Sequence, residues 1–361
     1  MVAVTLHNIT HIYDRRVKAL DNLNVEFKDR KLSAVLGPSG CGKTTLLKII
    51  AGLLRPTEGR VYFDSRDVTD LHPRDRNVSM VFQFPVVYVT MTVHDNLAIP
   101  LQARGFSKGE IHRMVKEVAQ FLDVEQYLNV RAGRLPLHIK QKVALGRAII
   151  RDFDILILDE PLTYIDPAAR LELRERIVRI KLEREKTMLY VTHDQAEALT
   201  LGDMIAIMKD GKLLQYSSPE DVYYNPKNTF VAWFIGNPGM NLINCEYVRK
   251  GEKNFIKFKD VEIAISDQLA KLISDRSETN EIILGIRPEH VRLSLRRSPD
   301  SFPARVELVE ELGYLTISVL KHEDIEFRVK SPTRVKEGEE VYVEFPKENL
   351  RIFTRDGFLI A

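Results

Sequence analysis

Cysteine is scarce: Cys41 and Cys245 are the only two in 361 residues. That is too few for a disulfide framework and fits a reducing compartment. No apolar run approaches the roughly 20 residues that a membrane-spanning helix needs. A membrane role would therefore require a membrane-embedded partner. The opening stretch, Met1 to Arg16, lacks the apolar segment and small-residue cleavage site of a secretory signal. An excess of one charge is also missing. With 53 basic and 51 acidic residues the formal charge is +2, which gives no global case for a nucleic-acid or anionic-membrane binder. Neither a tandem repeat nor a low-complexity tract stands out.

The length exceeds that of one ordinary domain, and two is the expectation. With 44% hydrophobic and 29% charged residues the chain reads as globular. Its first two thirds alternate short apolar strands with helical segments. Leu32 to Gly37, Asp154 to Glu160 and Thr187 to Asp194 are strand candidates, and the stretch after Thr44 has helical spacing. Continuous apolar strands alternating with helices predict a parallel α/β sheet. Helix signals dominate from about Met91 to Phe153. There Ser107 and Glu110 form a capping box ahead of an apolar stripe. Asp210-Gly211 marks a hairpin turn. Beyond Asn241 come short alternating runs separated by Gly, Pro, Asp and Asn, which predict a compact β-barrel or sandwich. The boundary is expected at the turn-rich Gly236–Asn241, giving domains 1–235 and 236–361, with a helical subdomain at about 91–153.

Gly37-Pro38-Ser39-Gly40-Cys41-Gly42-Lys43-Thr44-Thr45 matches G-x-x-x-x-G-K-[ST], after a strand and opening a helix. Its glycines permit the tight turns that let backbone N–H groups ring phosphates. The helix N-terminus adds a favourable dipole. Lys43 is expected to reach the β- and γ-phosphates of ATP, and the Thr44 hydroxyl to ligate Mg²⁺. Asp159 ends a buried strand and is expected to hold the same Mg²⁺. Glu160 follows it, placed to polarise an attacking water. His193 ends another apolar strand; alone it reads as structural, but beside a nucleotide it could contact the γ-phosphate.

Together these residues resemble the ATP-binding subunits of ABC transporters. The resemblance implies an α/β P-loop nucleotide-binding domain with a helical subdomain. It places Gln83 as the Q-loop glutamine that senses Mg²⁺, Asp166 as the D-loop aspartate across a dimer interface, His193 as the switch histidine and Tyr13 as the ring stacked on adenine. "FIGNPGMN" and "LGIRPEHVRLS" are similar to the linker and C-terminal barrel of maltose-type importer ATPases. That implies a small all-β, oligonucleotide-binding-like regulatory domain which, with its mixed charge, binds no nucleic acid.

One segment departs from this family. Its signature is L-S-G-G-Q; here Leu135 stands first, but Pro136, Leu137, His138 and Ile139 replace the rest. In the family this loop closes on the partner's γ-phosphate. Pro136 offers neither hydroxyl nor N–H, and Leu137 and His138 add bulk where glycines allowed close approach. A homodimer would carry two defective signatures. A heterodimer with a second, normal ATPase subunit would have one complete site, and this is the expectation. The stretch "QFPVVYVTMTVHDNL", with "KQKVALGR" and "DEPLTYIDP", further resembles one subunit of two-ATPase glycerol-uptake systems. The resemblance implies two transmembrane permease subunits, an extracytoplasmic solute-binding protein acting indirectly, and a place on the cytoplasmic face of the membrane. The alternatives are a nucleotide-binding regulatory subunit with little turnover, or the ATPase of a polyamine or inorganic-ion importer. A soluble repair or translation ATPase would need coiled-coil insertions or tandem ATPase domains, and neither is present.

Overall fold

The structure, a computed structural model, describes residues 2–14, 16–313 and 315–361. The chain divides into two compact units, 1–219 and 220–361.

In the first unit a six-stranded sheet is built on the fully buried strands Leu32–Leu36, Ile155–Asp159 and Thr187–Val191. These run parallel, with Leu32–Leu36 beside Thr187–Val191 and Thr187–Val191 beside Ile155–Asp159. All three are buried along their length and mostly apolar because both faces are covered, as expected of a parallel sheet. Strand Met204–Lys209 adds in parallel and turns back antiparallel as Lys212–Ser217. Asp210 and Gly211, with φ of 49° and 77°, make the expected two-residue turn. A second, four-stranded antiparallel sheet includes Val4–Tyr13, Val17–Phe27 and Glu58–Phe63. Helix Lys43–Ile50 leaves the P-loop strand and buries Leu46, Leu47, Ile49 and Ile50 in the same core as Leu6, Ile9 and Leu20. Its C-terminal end is held by the buried Arg76, which donates to the carbonyls of Ile49 (2.8 Å) and Ile50 (2.9 Å). A cation there also complements the helix dipole.

The expected helical stretch is present as Val93–Gln102, Lys108–Phe121 and Leu137–Ile149. Ser107 and Glu110 exchange both bonds of the capping box. Among the described residues, no helix is long and apolar enough to cross a membrane.

In the second unit two five-stranded antiparallel sheets share one core containing Ile256, Leu284, Leu320 and Val343. The expected boundary at 235/236 differs from the division observed, because residues 220–235 pack with the C-terminal unit. Buried Arg287 explains this. Its guanidinium donates to the carbonyls of Tyr223 (2.6 Å), Ala232 (3.0 Å) and Ile235, so helix Thr229–Phe234 is capped by the β domain. Gly239 returns so close under this helix that a Cβ would lie 2.0 Å from the Trp233 carbonyl oxygen. Helix Asp267–Arg276, capped by Ser266, interrupts what the sequence had suggested as strands alone.

Candidate functional site

The phosphate loop sits between the buried strand Leu32–Leu36 and helix Lys43–Ile50. Gly42 precedes the helix at φ 102°, and a Cβ on it would lie 2.4 Å from the Ala19 carbonyl oxygen. Gly40, at φ 80°, faces open space. Pro38 and Ser39 are exposed and Cys41 is buried beneath them, its thiol pushed up by burial. Lys43 is also buried, and its ammonium donates to the carbonyls of Gly37 (2.8 Å) and Pro38 (2.9 Å). The exposed Thr44 points its hydroxyl at Asp159 Oδ1, 3.5 Å away.

Asp159 ends its strand nearly buried, and its carboxyl is pushed above the usual range, first by burial and then by the adjacent Glu160. Glu160 leaves the strand at φ 45°, a left-handed conformation that non-glycine residues rarely adopt. This turn brings its carboxylate into a small network. Glu160 Oε2 accepts from Gln83 Nε2 (3.0 Å) and Thr163 Oγ1 (3.1 Å), and His193 Nδ1 lies 3.3 Å away. His193 is held between two anchored neighbours. Thr192 donates to buried Glu197 (2.8 Å), and Asp194 caps helix Gln195–Leu201. Residues far apart in sequence, Lys43, Gln83, Asp159, Glu160 and His193, thus lie at or just beyond the C-terminal ends of four neighbouring parallel strands, Leu32–Leu36, Thr187–Val191, Ile155–Asp159 and Val78–Val81. In open α/β sheets that edge is where ligands bind.

Tyr13 ends strand Val4–Tyr13; its hydroxyl is 3.2 Å from Thr45 Oγ1, and its ring packs edge-on against buried His11. The altered signature is split by burial. Leu135 and Ile139 point inward, whereas Pro136 and Leu137 are exposed at the start of helix Leu137–Ile149. Pro136 occupies the cap position and supplies no side-chain bond to the first turn. Asp166 caps helix Pro167–Arg184 through Ala169 N–H (3.0 Å), which holds its carboxyl below the usual range, and His138 Nδ1 lies 4.0 Å from Asp166 Oδ2.

Three residues of this neighbourhood were not singled out by the sequence. Thr163 closes on Glu160, and Tyr164 stacks on Phe84 with ring centroids 4.7 Å apart. Thr163 has a readable signal, a hydroxyl three residues beyond the acid. The Phe84–Tyr164 pair has none, since its partners are distant in sequence.

The loop fits a nucleotide phosphate with Mg²⁺. Gly40 leaves room for close backbone approach, Lys43 is parked on two carbonyls rather than paired with a carboxylate, and Asp159 carries a burial penalty that a cation would relieve.

Comparison with known proteins agrees over both units. The family model described as ABC transporter matches residues 20–163, MalK OB fold domain matches 236–291, and TOBE domain matches 284–353. The trehalose/maltose import ATP-binding protein MalK of Thermococcus litoralis is 38% identical, covering 98% of each chain. The oligosaccharides import ATP-binding protein MsmX of Bacillus subtilis is 36% identical over 96% of this chain and 95% of its own. The sn-glycerol-3-phosphate import ATP-binding protein UgpC of Psychromonas ingrahamii is 33% identical over 99% and 95%. Among solved structures, the dimeric ATP-binding cassette MJ0796 bound to ADP and Pi superposes with a TM-score of 0.56 at 29% identity, over 60% of this chain and 98% of that one. The chain therefore belongs to the ATP-binding subunits of ABC transporters, in the branch that carries a MalK-type OB fold and a TOBE domain.

Proposed function

We propose that this chain is the ATP-hydrolysing subunit of an importer for a carbohydrate or polyol, glycerol among them. It works as one half of a heterodimer with one complete and one degenerate composite site. A single contrast carries this reading. The network around Glu160 is assembled, while the segment that should close on a partner's nucleotide presents Pro136 and exposed Leu137. Pro136 contributes no N–H, and exposed Leu137 puts a bulky side chain at the start of the helix, where a glycine would allow close approach. His138 faces Asp166 of its own chain. Import of oligosaccharides, trehalose/maltose and sn-glycerol-3-phosphate by the relatives supports the carbohydrate or polyol cargo. The altered signature and the Phe84–Leu97 stretch support the glycerol reading.

Lys43 exchanges its two carbonyl partners for phosphate oxygens. Thr44, Asp159 and Gln83 would hold Mg²⁺, which neutralises charge on the phosphates. Glu160 takes a proton from the attacking water. The water oxygen bonds to the γ-phosphorus, the bond to the β–γ bridging oxygen breaks, and ADP leaves with that electron pair. His193 steadies the same carboxylate and reaches the γ-phosphate, and Tyr13 stacks on adenine. The partners are a second ATPase subunit and two permease subunits at the cytoplasmic face, with an external solute-binding protein acting through the permeases.

The permease contact falls on an exposed apolar strip. Phe84, Val86, Tyr88, Val89 and Met91 are each at least 40% exposed. The strip is pinned from beneath by Asn96, which bonds both the N–H and the carbonyl of Tyr88, and by Arg147 over the Tyr88 ring. Tyr88→Ala and Met91→Ala are expected to cut transport about tenfold or more, the loss of an anchoring contact, with nucleotide affinity unchanged. Unaltered uptake in both variants would remove this assignment.

The heterodimer is tested by steady-state ATP hydrolysis of the chain alone and mixed with its cognate second ATPase subunit. Turnover on the order of 1–100 s⁻¹ is expected only in the mixture. Full activity of the chain alone would mean that Leu135–Ile139 is a working signature. Persistent nucleotide binding without turnover in either sample would favour the regulatory-subunit reading.

A further inference from the structure

We propose that Tyr164 and Phe84 form an aromatic link that positions Gln83 for Mg²⁺ and ties the permease-facing strip to the segment leading to Asp166. The inference rests on the Mg²⁺-holding role given to Gln83 above and deepens it.

The two rings are nearly parallel, 16° apart in plane with centroids 4.7 Å apart, a stacked arrangement. Core packing does not account for them. Phe84 is 60% exposed and Tyr164 48%, so the pair mainly fastens one surface segment to another. Phe84 follows Gln83 directly, and Tyr164 follows Thr163, which binds Glu160. The stack therefore closes a loop of contacts: Gln83 to Glu160, Glu160 to Thr163, Tyr164 to Phe84, and back to Gln83.

This closure fixes which way the Gln83 amide faces. A carboxylate only accepts, so the nitrogen of Gln83 must face Glu160 Oε2, at 3.0 Å. The Tyr164 hydroxyl oxygen lies 3.5 Å from the same nitrogen, at the outer limit of a hydrogen bond. With both contacts on the amide nitrogen, the amide oxygen is the atom left for a cation. The ring stack rather than the hydroxyl holds this orientation, because the hydroxyl contact is long. At its other end the strip that begins with Phe84 continues to Tyr88 and Met91. Tyr164 precedes Asp166 by two residues. A displacement of the strip by a bound partner would thus reach Gln83 and the Asp166 segment together. Tyr164 is a positioning residue: it acts through Gln83 and touches no reacting atom.

The experiment is the Mg²⁺ dependence of ATP binding by the full-length chain, followed by fluorescence of a nucleotide analogue. The chain alone suffices, so the result does not depend on whether the heterodimer reading holds. Tyr164→Ala and Phe84→Ala are each expected to raise the half-saturating Mg²⁺ about 3- to 10-fold, the range of an aromatic pair. Affinity for nucleotide without Mg²⁺ should not change. Tyr164→Phe keeps the stack and should shift the midpoint less than about 2-fold. In a Gln83→Ala background, Tyr164→Ala should add nothing, since both act through one amide. An unchanged Mg²⁺ midpoint in Tyr164→Ala, or an equal loss with and without Gln83, overturns the link. If Gln83→Ala itself leaves the midpoint unmoved, the role given to Gln83 falls, and the link falls with it.

Discussion

Glu160→Gln in this chain is expected to lower ATP turnover of the assembled transporter by about 10²–10⁴-fold, the usual worth of a positioned general base, while ATP still binds. Gln has the shape of Glu and suits the left-handed φ of 45° no worse, so the local strain is unchanged and basicity is the property removed. Its amide oxygen can still accept from Thr163 and Gln83, which keeps the loop in place. The sharper expectation is an asymmetry. In the heterodimer proposed above, the complete composite site would pair this chain's Lys43, Asp159 and Glu160 with the partner's signature. The other would pair the partner's phosphate loop with Pro136–Ile139. Removing the matching acid from the partner should therefore change turnover less than about 2-fold on the same scale. Steady-state rates of the two singly substituted complexes decide the matter. Equal losses from either side would mean that both sites turn over and that the signature here is not degenerate.

Much of this site could be read in the sequence because its parts are local. The phosphate loop is a fixed spacing. Asp159 and Glu160 end an apolar run, and the Ser107–Glu110 cap and the Asp210-Gly211 turn each lie within four residues. What joins these parts was not readable. The bond from Gln83 to Glu160 spans 77 positions, and no local periodicity encodes it. The left-handed turn at Glu160 that aims its carboxylate carries no glycine to announce it. The same holds for the division of the chain. "GNPGMN" looks like a linker because it is rich in turn residues. Yet Arg287, more than fifty residues later, holds the helix that precedes it. Helix Asp267–Arg276 was the opposite case. Its Ser266 cap and its apolar Leu269, Ala270, Leu272 and Ile273 are local signals, overshadowed by the strand patterns on either side.

Arg287→Leu is expected to destabilise the C-terminal unit by about 3–5 kcal/mol, the cost of breaking a buried charge-assisted network. The side chain is 2% exposed, and burial pulls its pKa below the ordinary arginine value. The guanidinium tolerates that position because its fork meets three carbonyls, those of Tyr223, Ala232 and Ile235, and stacks on the Tyr223 ring at 4.1 Å. Leu fills similar space but takes the guanidinium donor from the Tyr223 and Ile235 carbonyls, and leaves the Ala232 carbonyl with the Met240 N–H alone (3.2 Å). Two of them lie at the end of helix Thr229–Phe234, where a cation also meets the negative end of the helix dipole. Arg287→Lys retains the charge but cannot span three acceptors, so an intermediate loss is expected. The single tryptophan, Trp233, sits on that helix, so its fluorescence reports this unit directly in urea. With slopes of about 1–3 kcal/mol/M for small domains, the midpoint should fall by roughly 1–5 M. Nucleotide binding by residues 1–219 serves as the control for an otherwise folded chain. A Trp233 midpoint displaced by less than about 0.3 M would show that the three carbonyls find other donors and that Arg287 does not hold residues 220–235 to the β domain.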